Sequence, residues 1–177
     1  MLALSLYKGD KMDKYVIIVA YIIKCFNNNK KHIGKTILNK MLWFIHREYL
    51  YQYKEHLTDT KFIRNDYGPV PKKHKKLIKD MLEKGLIVDK STSFGSDFYI
   101  VENSFNFDIL DEKIKKIIIF CVNKYREFNA NELSEISHDG QWHALKNGDT
   151  MLVEDVFLRD LVPVDPKEIE KLKAKYL

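Results

Sequence analysis

The stretch YGPVPKKHKKLIKDMLEKG, residues 67–85, decides the centre of the fold. Gly68 stands before Pro69, which limits it to extended backbone or to a region open only to glycine. A helix over residues 71–84 is expected next, because Pro71 suits a first helical turn and Gly85 suits the position after a helix. At 100° per residue one face of this helix is apolar and carries one histidine: His74, Leu77, Ile78, Met81 and Leu82.

The opposite face of this helix is a lysine stripe, formed by Lys72, Lys75, Lys76 and Lys79. The chain has 30 Lys+Arg against 25 Asp+Glu, so the stripe and Lys73 together equal the whole formal excess of +5. Such a face is first a solvated surface, second a docking surface for an acidic protein, and third a contact for phosphates. It holds no Arg, Asn or Gln placed to read bases.

Residues 86–101 read as a β-hairpin, because two apolar runs flank a turn rich in Ser and Gly. A helix followed directly by a hairpin is the outline of a winged helix. This outline and the lysine stripe make a nucleic-acid-binding protein the alternative hypothesis for function.

Helices are also expected on both sides of this centre. Residues 13–26 are apolar nearly all round, and residues 34–53 have a core face that includes Leu38 and Leu42, with Lys40 on the polar side. Residues 109–128 are amphipathic, and Asn129 with Glu132 forms a capping box for a short helix to about residue 137. A polar loop over 138–150 and a C-terminal helix over about 166–176 follow.

These elements predict an α+β, predominantly helical fold in one compact domain, residues 12–177, with a β-hairpin after the third helix. Residues 1–11 have no cap and no clear period, so they are treated as an N-terminal extension of unknown role. The chain has 177 residues, 45% hydrophobic and 31% charged, which is the balance of a folded domain rather than a disordered one.

Composition also argues against a membrane protein and a disulfide framework. The longest N-terminal apolar run, residues 15–23, is far shorter than the roughly 20 residues that span a bilayer. Cys25 and Cys121 both lie within apolar runs, without a Cys-x-x-Cys pair, which is typical of reduced thiols in a cytoplasmic protein. We therefore expect cytoplasmic localisation.

No motif for catalysis stands out, and neither a cofactor nor a metal is expected. SFGSD, residues 93–97, is not a nucleophile elbow, and HIGKT, residues 32–36, lacks the upstream glycine of a phosphate-binding loop. His138 and His143 are five residues apart with aspartates nearby, so a metal-dependent enzyme is a weaker third hypothesis.

Three segments resemble the Panacea, or SocA-like, antitoxin domain family, in the family's order and over roughly residues 13–155. They are ILNKMLWFIHREYL (37–50), FIRNDYGPVP (62–71) and NELSEISHDGQWHAL (131–145). RND stands before YGPV where the family has an Ala-Trp pair, so packing beneath Tyr67 is left open. The motif positions are Leu38, Lys40, Leu42, Trp43, Tyr67, Gly68, Pro69, Val70, Leu133, Ser134, His138 and Trp142.

The resemblance implies a bacterial or phage antitoxin, without catalytic residues, that binds and neutralises a toxin encoded beside it. In one branch of the family the antitoxin is a proteolytic adaptor that hands its toxin to a AAA+ protease. Leu38 and Leu42 are expected in the core, Gly68 and Pro69 in a fixed turn, and Trp142 as a plug beside the late loop. His138 and Tyr67 are expected to bond each other or backbone groups.

Overall fold

The computed structural model of this chain describes residues 13–91, 93, 95–101 and 104–160. The predicted N-terminal extension and the predicted C-terminal helix lie outside them. Within these residues no helix combines the length and the apolar character that crossing a membrane requires. The helices are α1 (Lys14–Asn28), α2 (Lys35–Tyr53), α3 (His74–Glu83), α4 (Glu112–Tyr125), α5 (Ala130–Ser137) and α6 (Gly140–Ala144). The strands are β1 (Phe62–Ile63), β2 (Val70–Pro71), β3 (Ile87–Asp89), β4 (Phe98–Ile100) and β5 (Thr150–Met151).

Helix α2 is the centre of the fold, because α1, α4, α5 and the 3-10 segment Val153–Asp160 all pack against it. α1 and α4 begin where Asp13 and Asp111 accept hydrogen bonds from backbone amides two residues on. The helices α1, α2 and α4 that the apolar spacing predicted are confirmed. The fold is α+β and predominantly helical, as expected. The predicted start at residue 109 was too early for α4, because residues 107–109 form a separate 3-10 turn.

A small antiparallel sheet has the strand order β2-β1-β5. Ile63 lies opposite Val70 on one side and opposite Thr150 on the other. The turn between β1 and β2 contains Tyr67 to Pro69, so this sheet fixes where the YGPV turn crosses the helices. β5 was not predicted from the sequence.

The helix and hairpin at the centre of the sequence are both present. α3 is followed by Gly85, whose φ is +63°, and then by the antiparallel pair β3 and β4. The predicted start of α3 at residue 71 is wrong, because Pro71 pairs with Phe62 and the Lys72 amide donates to the Lys61 carbonyl. These bonds hold residues 71 and 72 beside β1, and α3 begins only at His74.

The outer edge of β4 is occupied by groups from α1 and the loop after it. The Asn27 side chain donates to the Phe98 carbonyl and accepts from the Ile100 amide. The Phe98 amide donates to the Ile33 carbonyl. The hairpin is thereby held to α1 by hydrogen bonds as well as by packing.

The predicted capping box of α5 is confirmed by the bonds between Asn129 and Glu132. The predicted loop over 138–150 is wrong in its first part, which forms α6. Asp139 caps this helix, since its carboxylate accepts from the Trp142 amide.

Candidate functional site

Three distant segments meet at one corner of the molecule. Lys40 comes from the middle of α2, the turn of Tyr67 to Val70 from between β1 and β2, and Ser137, His138 and Trp142 from the end of α5 and from α6. We call this set of residues the YGPV corner. It brings together the parts of the sequence that carried the family resemblance.

Lys40 is the buried centre of the corner. Only 1% of its surface is exposed, and its Nζ donates to the Pro69 carbonyl at 3.3 Å. Burial lowers the pKa of this ammonium to about 7. The sequence placed Lys40 on the polar side of α2, and the structure shows that the YGPV turn covers this side at Lys40.

Gly68 allows the turn to lie this close to α2. Its φ is +93°, a conformation that side chains disfavour. A Cβ at this position would lie 2.3 Å from the Ser137 Oγ and 2.9 Å from the Lys40 Nζ. Both the backbone conformation and the available space therefore require glycine here.

His138 and Trp142 close the corner from the other side. Their rings stack with centroids 3.7 Å apart, and the Trp142 Nε1 donates to the Asn65 carbonyl at 2.9 Å. The Arg64 guanidinium lies 4.0 Å from the Trp142 ring centroid. Trp142 packs against the core as the sequence suggested, but it is only half-buried and also covers the Arg64–Asn65 segment.

Tyr67 and His138 were expected to bond each other or backbone groups, and the first of these arrangements is not present. Tyr67 is 71% exposed, and the His138 Nε2 has no hydrogen-bond partner among the described residues. Burial lowers the pKa of His138. Within the corner, Lys40 and Ser137 are buried, and Tyr67 is the most exposed aromatic side chain.

The remaining motif residues are structural. Ser134 donates from its hydroxyl to the Ala130 carbonyl one turn earlier in α5, and Val70 pairs with β1. Leu38 and Leu42 are fully buried, as predicted for core positions. Trp43 and Leu133, for which no core position was predicted, are at most 1% exposed as well.

A groove of about 520 Å³ runs from the corner between α2 and α3, and we call it the α2–α3 groove. Asn39 and His74 line it and are 7% and 2% exposed. The Asn39 Oδ1 and both ring nitrogens of His74 have no hydrogen-bond partner within the described chain. Burial lowers the pKa of His74 to about 4, with a smaller contribution from Lys35, so this imidazole is neutral at pH 7.

The lysine stripe divides at this groove. Lys72, Lys75 and Lys79 line it, whereas Lys76 is not among its lining residues. Lys79 lies 3.6 Å from Glu83, one turn along α3. Lys35, at the start of α2, adds a further cation.

The sequence did not predict that Lys35 and Asn39 line a groove. They are four residues apart, as one face of a helix requires, but only the position of α3 reveals that this face is a groove wall.

The geometry of a catalytic centre does not emerge from the described residues. Among them no group of three or more His, Cys, Asp and Glu side chains is arranged to hold a metal ion. The rings of His138 and His143 have centroids 6.5 Å apart. Burial raises the pKa of the Cys25 thiol to about 11 and also raises that of Cys121, which makes both poor nucleophiles at neutral pH.

Comparison with known proteins identifies a family whose model matches a region that includes the YGPV corner. A family model described as "Antitoxin SocA-like, Panacea domain" matches residues 38–143, which span more than half of the chain. The match begins at Leu38 in α2 and ends beside Trp142, so it covers the three segments that meet in the corner. No curated protein and no solved structure matches the chain.

Proposed function

Because this chain belongs to the SocA-like antitoxin family with the Panacea domain, we propose that it is an antitoxin that neutralises a cognate toxin by binding it directly. The single observation that carries this proposal is the family match over residues 38–143. The toxin is expected to be the product of a neighbouring gene, and both proteins are expected to act in the cytoplasm.

The corner supports a binding role. The Lys40 ammonium donates to the Pro69 carbonyl of its turn, Ser137 lies close to Gly68, and Tyr67 is left 71% exposed. An exposed tyrosine on a rigid support is a typical anchor of a protein interface, because little conformational entropy is lost when it is buried.

A protein partner is favoured over nucleic acid by the placement of the lysines. Lys72 lies before α3, and Lys75 and Lys79 face a groove with an apolar floor rather than forming one continuous outer face with Lys76. Phosphate binding by a winged helix would use an open, evenly charged surface.

Co-expression tests the proposed function. We expect the product of the adjacent gene to stop growth when it is produced alone, and growth to resume when this chain is produced with it. A neighbour that is harmless alone, or that stays toxic in the presence of this protein, would contradict the proposal.

The mechanism is tested by the lifetime of the toxin. Direct neutralisation predicts a stable complex of the two purified proteins and an unchanged toxin half-life in cells. A toxin that disappears faster when this protein is present, in a manner that requires a AAA+ protease, would instead indicate a proteolytic adaptor.

A further inference from the structure

We propose that the α2–α3 groove is the docking site for an extended, acidic segment of the partner protein. The segment would place apolar side chains on the groove floor and carboxylates beside Lys35 and Lys75. This inference rests on the proposed function, since the partner is taken to be the toxin, and it names the surface and the chemistry of recognition.

The first argument is the pair of buried polar side chains. Asn39 and His74 are both more than nine-tenths buried, yet the Asn39 Oδ1 and both His74 nitrogens have no partner within the described chain. Leaving such groups unpaired costs stability. A neutral imidazole and an amide each combine a donor and an acceptor, which is what the alternating N–H and C=O groups of an extended peptide require.

The second argument is charge complementarity. Among the described residues, no acidic side chain forms an ion pair with Lys35, Lys72 or Lys75. Asp89 is the one carboxylate among the described residues that line the groove. The groove is therefore cationic along both helices. An acidic segment would supply the missing counter-charges.

The third argument is the shape and the position of the groove. Ile78 and Phe98 are 3% and 1% exposed and line its floor, which favours a ligand with apolar side chains. Tyr67 and Lys40, both at motif positions, line the end of the groove at the YGPV corner. The exposed tyrosine is thus placed to contact whatever the groove holds.

A phosphodiester strand fits this groove less well than a peptide. Phosphate oxygens are acceptors only, so they cannot donate to the Asn39 Oδ1. Among the described residues that line the groove there is no arginine, the residue best suited to hold phosphates in a fixed geometry.

Charge reversal with a matched control tests the proposal. Lys35→Glu and Lys75→Glu change the groove, while Lys76→Glu makes the same change one residue further along α3, outside it. All three place an acid in the first turn of a helix, where it favours folding. With the purified product of the adjacent gene, we expect the two groove variants to raise the Kd about tenfold and Lys76→Glu to leave it within about twofold.

A second pair of variants separates binding from folding. Asn39→Leu and His74→Leu remove the unpartnered polar atoms and keep most of the volume. We expect both variants to raise the melting temperature by about 2–4 °C and to weaken the complex by about tenfold. A purely structural role for Asn39 and His74 predicts a lower melting temperature instead, and this result would contradict the proposal.

The remaining outcomes are also decisive. A complex that forms equally well with Lys35→Glu, Lys75→Glu and Lys76→Glu overturns the groove proposal and leaves the antitoxin function intact. A native protein that forms no complex overturns both. Salt-sensitive binding of a fluorescein-labelled DNA duplex that is lost only in the two groove variants would identify a nucleic-acid site and overturn the peptide proposal.

Discussion

Lys40 and Asn39 are neighbours on α2, and both are buried polar residues, but the Lys40 ammonium has a hydrogen-bond partner whereas the Asn39 Oδ1 has none among the described residues. Lys40 points into the YGPV corner, where its ammonium donates to the Pro69 carbonyl. Asn39 lines the α2–α3 groove, where its Oδ1 has no partner among the described residues. The corner is thus held by contacts within the chain, whereas the groove has polar atoms that another molecule can bind.

This comparison predicts that the corner tolerates change poorly and the groove tolerates it well. The largest effect is expected for Gly68→Ala, because the new Cβ meets Ser137 and Lys40 and the φ is positive. Strain and overpacking together should lower the free energy of unfolding by about 3 kcal/mol. Urea unfolding followed by circular dichroism measures this loss.

Gly85→Ala is the matched control for that substitution. Gly85 also has a positive φ, of +63°, but no atom of the described residues lies within 4 Å of a Cβ added there. Only backbone strain remains, so the expected loss is about 1 kcal/mol. Equal losses at the two glycines would show that the close approach to Lys40 and Ser137 is not important.

The next effect is acid sensitivity. Burial lowers the pKa of His46 and of His74 to about 4 from an ordinary value of 6.5. The unfolded chain therefore binds protons between pH 6.5 and 4 that the folded chain does not, and stability falls as the pH falls through this window.

His74→Leu should remove up to about 1.4 kcal/mol per pH unit from that slope. Asn39→Leu changes the same groove without changing a titrating group, so its acid slope should match that of the native protein. Urea unfolding at several pH values between 4 and 7 gives the slopes. An unchanged slope in His74→Leu would mean that this imidazole is not buried as a neutral group.

A smaller effect is expected on the pH dependence of stability, to which buried Lys40 should contribute and exposed lysines should not. Its pKa is lowered from 10.5 to about 7 in the folded chain, so the unfolded chain binds more protons above pH 7. Stability should therefore rise with pH, by about 1 kcal/mol per unit between pH 7 and 8. The range from pH 7 to 8 lies below the pH at which the cysteines of the unfolded chain lose their protons. Above that pH, the raised pKa values of the buried thiols would lower stability as the pH rises.

Lys40→Met should abolish that rise, and Lys76→Met should preserve it. Thermal or urea unfolding at pH 7 and pH 8 is sufficient for the measurement. A native protein whose stability is the same at both pH values would show that the Lys40 ammonium remains protonated inside the corner.

The smallest effect is expected for Trp142→Phe. This change removes the Nε1 bond to the Asn65 carbonyl but keeps an aromatic ring beside His138. The expected loss is about 1 kcal/mol, the usual contribution of one hydrogen bond, measured by urea unfolding. A loss several times larger would show that the stack, rather than the bond, holds α6 against the corner.

The helices and the hairpin could be predicted from the sequence because their signals are local. Apolar spacing placed α1, α2 and α4, and the Asn129 capping box placed α5. The match of residues 38–143 to the antitoxin family agrees with the resemblance seen in the three motifs.

The burial of Lys40 and the existence of β5 depend on contacts distant in sequence. Pro69, which accepts from Lys40, is 29 residues away. Thr150 of β5 pairs with Ile63, far earlier in the chain. No periodicity within a short window contains this information, so the apolar spacing of α2 could place Lys40 on the polar side but could not show that this side is covered. Likewise, a helix wheel could place the lysines around α3 but could not show which of them face a groove.

The bonds that Asn27 makes to β4 have a consequence for how this protein can associate. An edge strand with free backbone groups invites another chain to add to the sheet. Here the amide and carbonyl of Phe98 and the amide of Ile100 are already bonded to Ile33 and Asn27. Strand addition at β4 is therefore blocked, which lowers the risk of aggregation through the hairpin. The amides of Phe98 and Ile100 should also exchange with solvent slowly, although β4 is only three residues long.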